Sequence, residues 1–220
     1  MTCNQVFKGS NPFCVHQGYG ALAQLGERNA GSVEVVGSIP TSSTIMKVLG
    51  FDPIPVKLTA IERKVAILIG ETRTSVSKDD DDRPDAHGLK ANREDGLKID
   101  RQGAIAECVL AKHLNVFWCG SVNTFKSEKD VGTVFEVRSI DDMSKRLIVR
   151  MDDPDDAYFV SVAVFDNVCY IKGYLLGRDA KKGKWLRDPN DREPAYFVPD
   201  EGLKDPQNLK ILYLAIRNNL

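Results

Sequence analysis

The period of the apolar residues changes once along this chain, at Asn115, and that change limits what the chain can fold into. Before it, in LTAIERKVAILIGETRTSVS (58–77), Leu58, Ile61, Val65, Leu68 and Ile69 recur at helical intervals. Thr59 and Glu62, three residues apart, form a capping-box pattern. A helix is predicted there, with Gly70 as a weak point near its end. A second helix is predicted from Asp100, as its cap, through RQGAIAECVLAKHLN. Beyond Asn115 the alternation has period two. Strands are predicted over Val116–Cys119, Val134–Ile140, Arg146–Arg150, Tyr158–Phe165 and Val168–Leu176. FDNV is short enough to make the last two an antiparallel hairpin. Residues 177–200, punctuated by Gly177, Gly183, Pro189, Pro194 and Pro199, read as loop with Tyr196–Val198 extended. A last helix is expected over Asp205–Arg217. Helix, helix, sheet, helix is an α+β arrangement, a mixed β-sheet flanked by helices.

The chain has 220 residues, 42% of them hydrophobic, ample for one packed core. Its net charge of −1 gives no global pull toward nucleic acid, so such binding needs a local basic patch. RDAKKGKWLR (178–187) is the most basic stretch, and Arg178, Lys181, Lys182 and Lys184 are its candidates for phosphate contact. The alternative is a solvated loop. No run of 18 apolar residues suggests a membrane span, and no secretory signal is evident. Five scattered cysteines without a CxxC pair argue against a zinc site or a disulfide framework and suit a reducing, cytoplasmic setting.

Residues 1–45 carry only Lys8, Glu27, Arg28 and Glu34 as charges and keep no period. They are expected to be a disordered or spurious leader, with 46–220 as the single domain. ALAQLGERNAGSVEVVGSIPTSST (21–44) resembles the peptide encoded by a mistranslated transfer-RNA gene, which makes Met46 the natural start. KDDDDRPDAHGLKANREDG (78–96) reads as a surface loop, and its aspartates lack the ligand spacing of an EF-hand. DDPDD (152–156) reads as a turn with solvated acids.

On a helical wheel Glu107 lies between Leu114 and Ala111, flanked by Gly103, Leu110 and Ala104. An ionised carboxylate buried on such a face needs a cation, an arginine or a hydrogen-bond partner. Ile105, Val109 and Ala106 make the opposite side apolar too, so the wheel does not fix which face is inward. In KDVGTVFEVRS (129–139), alternation sends Glu136 and Arg138 to one face and Phe135, Val137 and Ser139 to the other. Gly132 permits a bend that brings Asp130 back toward Glu136. Two adjacent carboxylates repel, and a divalent ion relieves that repulsion.

GAIAE, then DVG, then EVR together resemble the PD-(D/E)XK nuclease superfamily. The stretch from DAHGLK to FVPDEGL further resembles uncharacterised phage and prophage proteins of that group. The resemblance implies a restriction-endonuclease-like core. It gives Glu107 the place of the helix acid, Asp130 that of the metal-binding aspartate, and Glu136 and Arg138 the final acidic and basic positions. It implies Mg²⁺ or Mn²⁺ held by Glu107, Asp130 and Glu136, a DNA substrate, and a phage-encoded protein acting in the host cytoplasm. Two departures stand out. Arg138 replaces the usual lysine, and arginine binds phosphate but cannot act as a base. SKRLIVRMDDPDDAYFVSVAV also suggests a strand and turn where that family has a crossover helix.

Two functions from different classes follow. One is a metal-dependent DNA nuclease. The other is a catalytically inactive phage accessory protein of the same fold, binding nucleic acid or a protein, with Glu107 and Arg138 as a buried ion pair. A metal-free interaction module is a third. His87, His113, Ser75 and Ser139 lack catalytic partners at useful spacing, and Trp118 and Trp185 are aromatic candidates for packing or base stacking.

Overall fold

The computed structural model describes residues 50–78, 93–122, 129–189 and 193–218. The predicted leader (1–45), His87 and most of the predicted surface loop lie outside the described residues.

The capping box forms as read. The Thr59 N–H donates to Glu62 Oε2 (2.6 Å), and the Glu62 N–H donates to Thr59 Oγ1 (3.2 Å). It starts α1 (Ala60–Lys78), which runs straight through Gly70. A Cβ at Gly70 would lie 2.6 Å from Arg101 Cα, so the glycine serves close helix approach rather than weakening the helix. The partner helix, α2 (Arg93–Leu114), begins eight residues before Arg101, the predicted first residue. Asp100 does not cap it. Its carboxylate accepts from Thr74 Oγ1 across the helix pair (2.6 Å), and Glu94 and Asp95 supply the acidic first turn instead. Asn115, at φ +57°, ends the helix.

Val116–Cys119 is not a strand. Its polar groups serve the helices: the Trp118 indole N–H donates to Glu107, and the Val116 N–H donates to the Ala111 carbonyl (3.0 Å). The remaining strands fall close to the predicted places: β2 (Phe135–Ile140), β3 (Leu147–Arg150), β4 (Tyr158–Ala163) and β5 (Cys169–Leu176). A short β1 (Ile54–Val56), missed in the sequence because Pro55 interrupts it, pairs at the edge of the sheet, where proline is tolerated. These strands form a mixed sheet of order β1-β5-β4-β2. β4 and β5 are the expected antiparallel hairpin, β2 and β4 run parallel, and β2 is an edge. The chain between β2 and β4 holds β3 and turns, and no helix.

The expected extended piece Tyr196–Val198 falls within a strand, but the rest of the described residues of 177–200 are not the expected loop. The segment holds α3 (Gly177–Ala180), a 3₁₀ turn (Gly183–Trp185), β6 (Leu186–Arg187) and β7 (Ala195–Val198). Buried Trp185 anchors this segment, and β3-β7-β6 form a second, antiparallel sheet. At the C-terminal end Asp205 accepts from the Gln207 N–H, opening a 3₁₀ turn before α4 (Leu209–Arg217). The protein is therefore α+β, with one mixed and one antiparallel sheet flanked by helices. No helix among the described residues is long and apolar enough to cross a membrane.

Two apolar clusters divide the faces of the mixed sheet. Phe135, Val137, Val160, Val162 and Ile171 pack with α2 residues such as Val109 and Leu110. Phe159 and Leu175 pack with Leu147, Val149, Trp185 and Val198 of the second-sheet side. Between Ser161 and Val162 the β4–β5 register slips, leaving Lys172 unmatched. Its fully buried ammonium donates to the Met143 and Lys145 carbonyls (2.6 and 2.9 Å) and pairs with Asp200 (2.6 Å), so no buried charge is left alone.

Candidate functional site

The site is built around the open edge of β2. Gly132 and Thr133 both have left-handed backbone, φ +63° and +61°. Left-handed geometry is unusual for a β-branched residue such as Thr133. They fold the chain so tightly that Val131 and Phe135 exchange two backbone hydrogen bonds (3.2 and 3.1 Å). A Cβ at Gly132 would also lie 2.9 Å from the Tyr213 ring. This turn lays Asp130 back along the strand, where its Oδ2 accepts the Val137 N–H at 2.7 Å.

Glu136 and Arg138 occupy the face opposite Phe135 and Val137, as alternation predicts. Lys129 Nζ lies 3.3 Å from Glu136 Oε1, and Arg138 Nη1 lies 3.8 Å from Oε2. Arg138 rests 5.0 Å from the Phe159 ring centroid. Its Nη2 donates to both oxygens of Asp153 (2.8 and 3.0 Å), and the Arg150 N–H donates to the same carboxylate (2.8 Å). Asp153 is thus the partner of Arg138, and the reading of its segment as solvated acids does not hold for it. The following Pro154, which shapes the turn, was the available signal.

Glu107 is buried on α2, but its partner is not Arg138. Arg73 of α1 grips it with two nitrogens, at 2.6 and 2.7 Å, and Trp118 Nε1 donates at 3.1 Å. Arg73 was missed in the sequence. It lies one turn beyond Gly70, on the side of α1 that meets α2, and only the pairing of the two helices reveals it.

The electrostatics join these groups. Burial is the largest influence on Asp130 and Glu107 the next. Together they push it up to about 6, against the pull of the Val137 N–H, Arg138 and Arg73. Burial, then Asp130, raises Glu136 above the usual carboxylate range, while Arg138 and Lys129 oppose the rise. For Arg73 burial pulls downward, but hydrogen bonding to Glu107 and the nearby carboxylates outweigh it. Asp130 is the link between the other acids: Glu107 raises it, and it in turn raises Glu136.

Asp130 and Glu136 suit a Mg²⁺-type ion, which takes few carboxylates and keeps several waters. Glu107 as placed gives both oxygens to Arg73 and so does not fit as a third ligand. Among the described residues no group of three or more His, Cys, Asp or Glu side chains is arranged to hold a metal.

In the basic segment, Lys182 and Lys184 are exposed and place their ammonium groups 5.4 and 4.9 Å from the Trp185 ring centroid. Arg178 is also exposed. Lys181 is committed elsewhere. Its Nζ donates to the Asp153 carbonyl (2.5 Å) and pairs with Asp155 (2.6 Å), tying the segment to the loop that holds Arg138. His113 is half-buried, and burial, then Lys210, keeps its pKa down. Cys108 lies in the core.

No family model matches this chain, and neither the curated proteins nor the solved structures contain a match.

Proposed function

We propose that this chain is a divalent-metal-dependent DNA nuclease with a restriction-endonuclease-like core, phage-encoded and acting in the host cytoplasm. The observation that carries the reading is the Asp130–Glu136 pair. A backbone turn containing a left-handed threonine lays one half-buried carboxylate back toward another, and both are shifted toward protonation. Backbone held in a disfavoured conformation to bring like charges together is the kind of strain found at functional sites. Bound Mg²⁺ or Mn²⁺ would supply charge stabilisation of the phosphodiester and a more acidic water. Asp130 and Glu136 hold the ion. Arg138, held over Phe159 by Asp153, offers its guanidinium to a phosphate oxygen. Glu107, neutralised by Arg73, adds negative potential beside Asp130 and braces the two helices. Arg178, Lys182 and Lys184 contact the DNA backbone.

A second reading is favoured by one observation. The complete engagement of Glu107 by Arg73 suits a catalytically inactive accessory protein that uses the fold to bind nucleic acid or a partner. Cleavage assays on single- and double-stranded DNA, with Mg²⁺, Mn²⁺ or EDTA, separate the two. The nuclease reading expects metal-dependent cleavage that is lost in Asp130→Asn and Glu136→Gln. DNA binding without cleavage under every condition would leave the second reading.

A further inference from the structure

The outer face of α1 is apolar. Ile61 is 76% exposed, Leu68 61%, Val65 46% and Val76 39%. A surface helix ordinarily sets its charges there. In α1 the charges turn inward instead: Glu62 pairs with Lys112, Arg63 with Asp166, Glu71 with Arg101 and Arg73 with Glu107. Between Ala60 and Val76, Lys64 is the one charged residue without an ion pair among the described residues. Ile61, Val65, Leu68, exposed Thr72 and Val76 follow one another at steps of four, three, four and four, close to the seam spacing of paired helices. The stripe is about 22 Å long at 1.5 Å per residue.

We infer that a second copy of this chain docks on this face, α1 against α1, antiparallel about a two-fold axis near Leu68. Charge complementarity selects both the occupant and the direction. Positions 64 and 71 lie at nearly equal distances on either side of the crossing. In the antiparallel pair Lys64 of one protomer therefore faces Glu71 of its partner, and the contact occurs twice, as a two-fold interface requires. The Glu71 side chain is 38% exposed despite Arg101, so it can accept a second cation. A parallel pair would bring Lys64 beside Ile69 of the partner, five residues on, and leave it without a carboxylate. The inference is independent of the nuclease reading.

The test is sedimentation velocity of the full chain from about 1 to about 100 μM, since self-association follows mass action. The expected species at the upper end has twice the 24.4 kDa chain mass. Leu68→Glu should weaken association by at least about tenfold, with circular dichroism unchanged and melting unchanged at about 1 μM, where both chains are monomeric. Lys64→Glu, an exposed change that leaves the core untouched, should do the same by facing Glu71, and adding Glu71→Lys should restore the dimer. A chain of single mass throughout would overturn the inference. So would a dimer indifferent to both Leu68→Glu and Lys64→Glu. A monomeric wild type whose Leu68→Glu variant melts lower would also overturn it, assigning the face to another part of the same chain.

Discussion

Asp130 is a carboxylate whose ionisation opposes folding. Its folded pKa of about 6 lies above the ordinary 3.8, so the unfolded chain ionises first as pH rises. The folded state then holds more protons between about pH 4 and 6, and stability falls as pH rises through that window. The penalty is absent below about pH 4 and complete above about 6, where it reaches the order of 2–3 kcal/mol. Asp130→Asn keeps an acceptor for the Val137 N–H and removes the charge. In EDTA its stability advantage over wild type, measured by urea unfolding, should be near zero at pH 4 and grow to that size by pH 7. An advantage that stays flat with pH would mean the carboxylate is compensated. Thr133 gives a second test at this scale. Left-handed backbone costs a residue with a Cβ about 1–2 kcal/mol, and glycine's greater unfolded freedom returns about 0.5–1 kcal/mol of that. Thr133→Gly should therefore raise stability by up to about 1.5 kcal/mol. A loss of stability would show that the Thr133 Oγ1 contact with the Gly132 carbonyl outweighs the strain.

At the scale of elements, the α1–α2 pair is fastened by Arg73 and Glu107. Arg73→Ala leaves a buried carboxylate without its cation and should cost about 3–5 kcal/mol in chemical denaturation, whereas replacing both partners with apolar residues should cost much less. Equal losses in the single and double variants would mean the pair contributes packing alone. The sequence showed that Glu107 needed a partner but not which one, because that partner comes from a helix brought alongside by tertiary packing. Elements defined by their own neighbours were legible: the Thr59–Glu62 cap, the β4–β5 hairpin and the alternation of β2. Elements defined by distant contacts were not. Gly96 and the charges around it masked the first turns of α2. Val116–Cys119 has strand-like residues but spends its polar groups on the helices. Residues 177–200 looked like loop because glycine and proline punctuate them, while Trp185, buried in the second core, organises them. For the site, Asp130, Glu136 and Arg138 could be read from one short stretch. Arg73, which helps hold it in shape, could not, and for Asp153 the one signal was the turn at Pro154.

For the whole molecule, Asp153 and Lys181 connect the acidic edge of β2 to the basic segment, so a bound phosphate backbone would meet both. If that segment binds DNA, replacing Lys182 and Lys184 with alanine should reduce the log–log salt slope of binding by about 1.8, at 0.9 per lost phosphate contact. Stability should barely change, because both side chains are exposed. Lys181→Ala should instead lower stability while changing the slope less, since its ammonium already holds Asp153 and Asp155. An unaltered slope in the Lys182/Lys184 variant would remove the segment from the interface. The central claim, that Asp130 and Glu136 together hold a divalent ion, is tested most directly by melting curves of wild type and Asp130→Asn at pH 7, each with EDTA and with Mg²⁺. Ligand bound only to the folded state adds RT ln(1 + [L]/Kd), about 1.4 kcal/mol when the ion is at ten times its Kd. Wild type should melt higher with Mg²⁺ than with EDTA. Asp130→Asn should exceed wild type in EDTA and gain nothing from the ion. A wild type indifferent to Mg²⁺ and Mn²⁺, together with a variant destabilised in EDTA, would contradict the metal site and leave Asp130 as a structural clasp on the edge of β2.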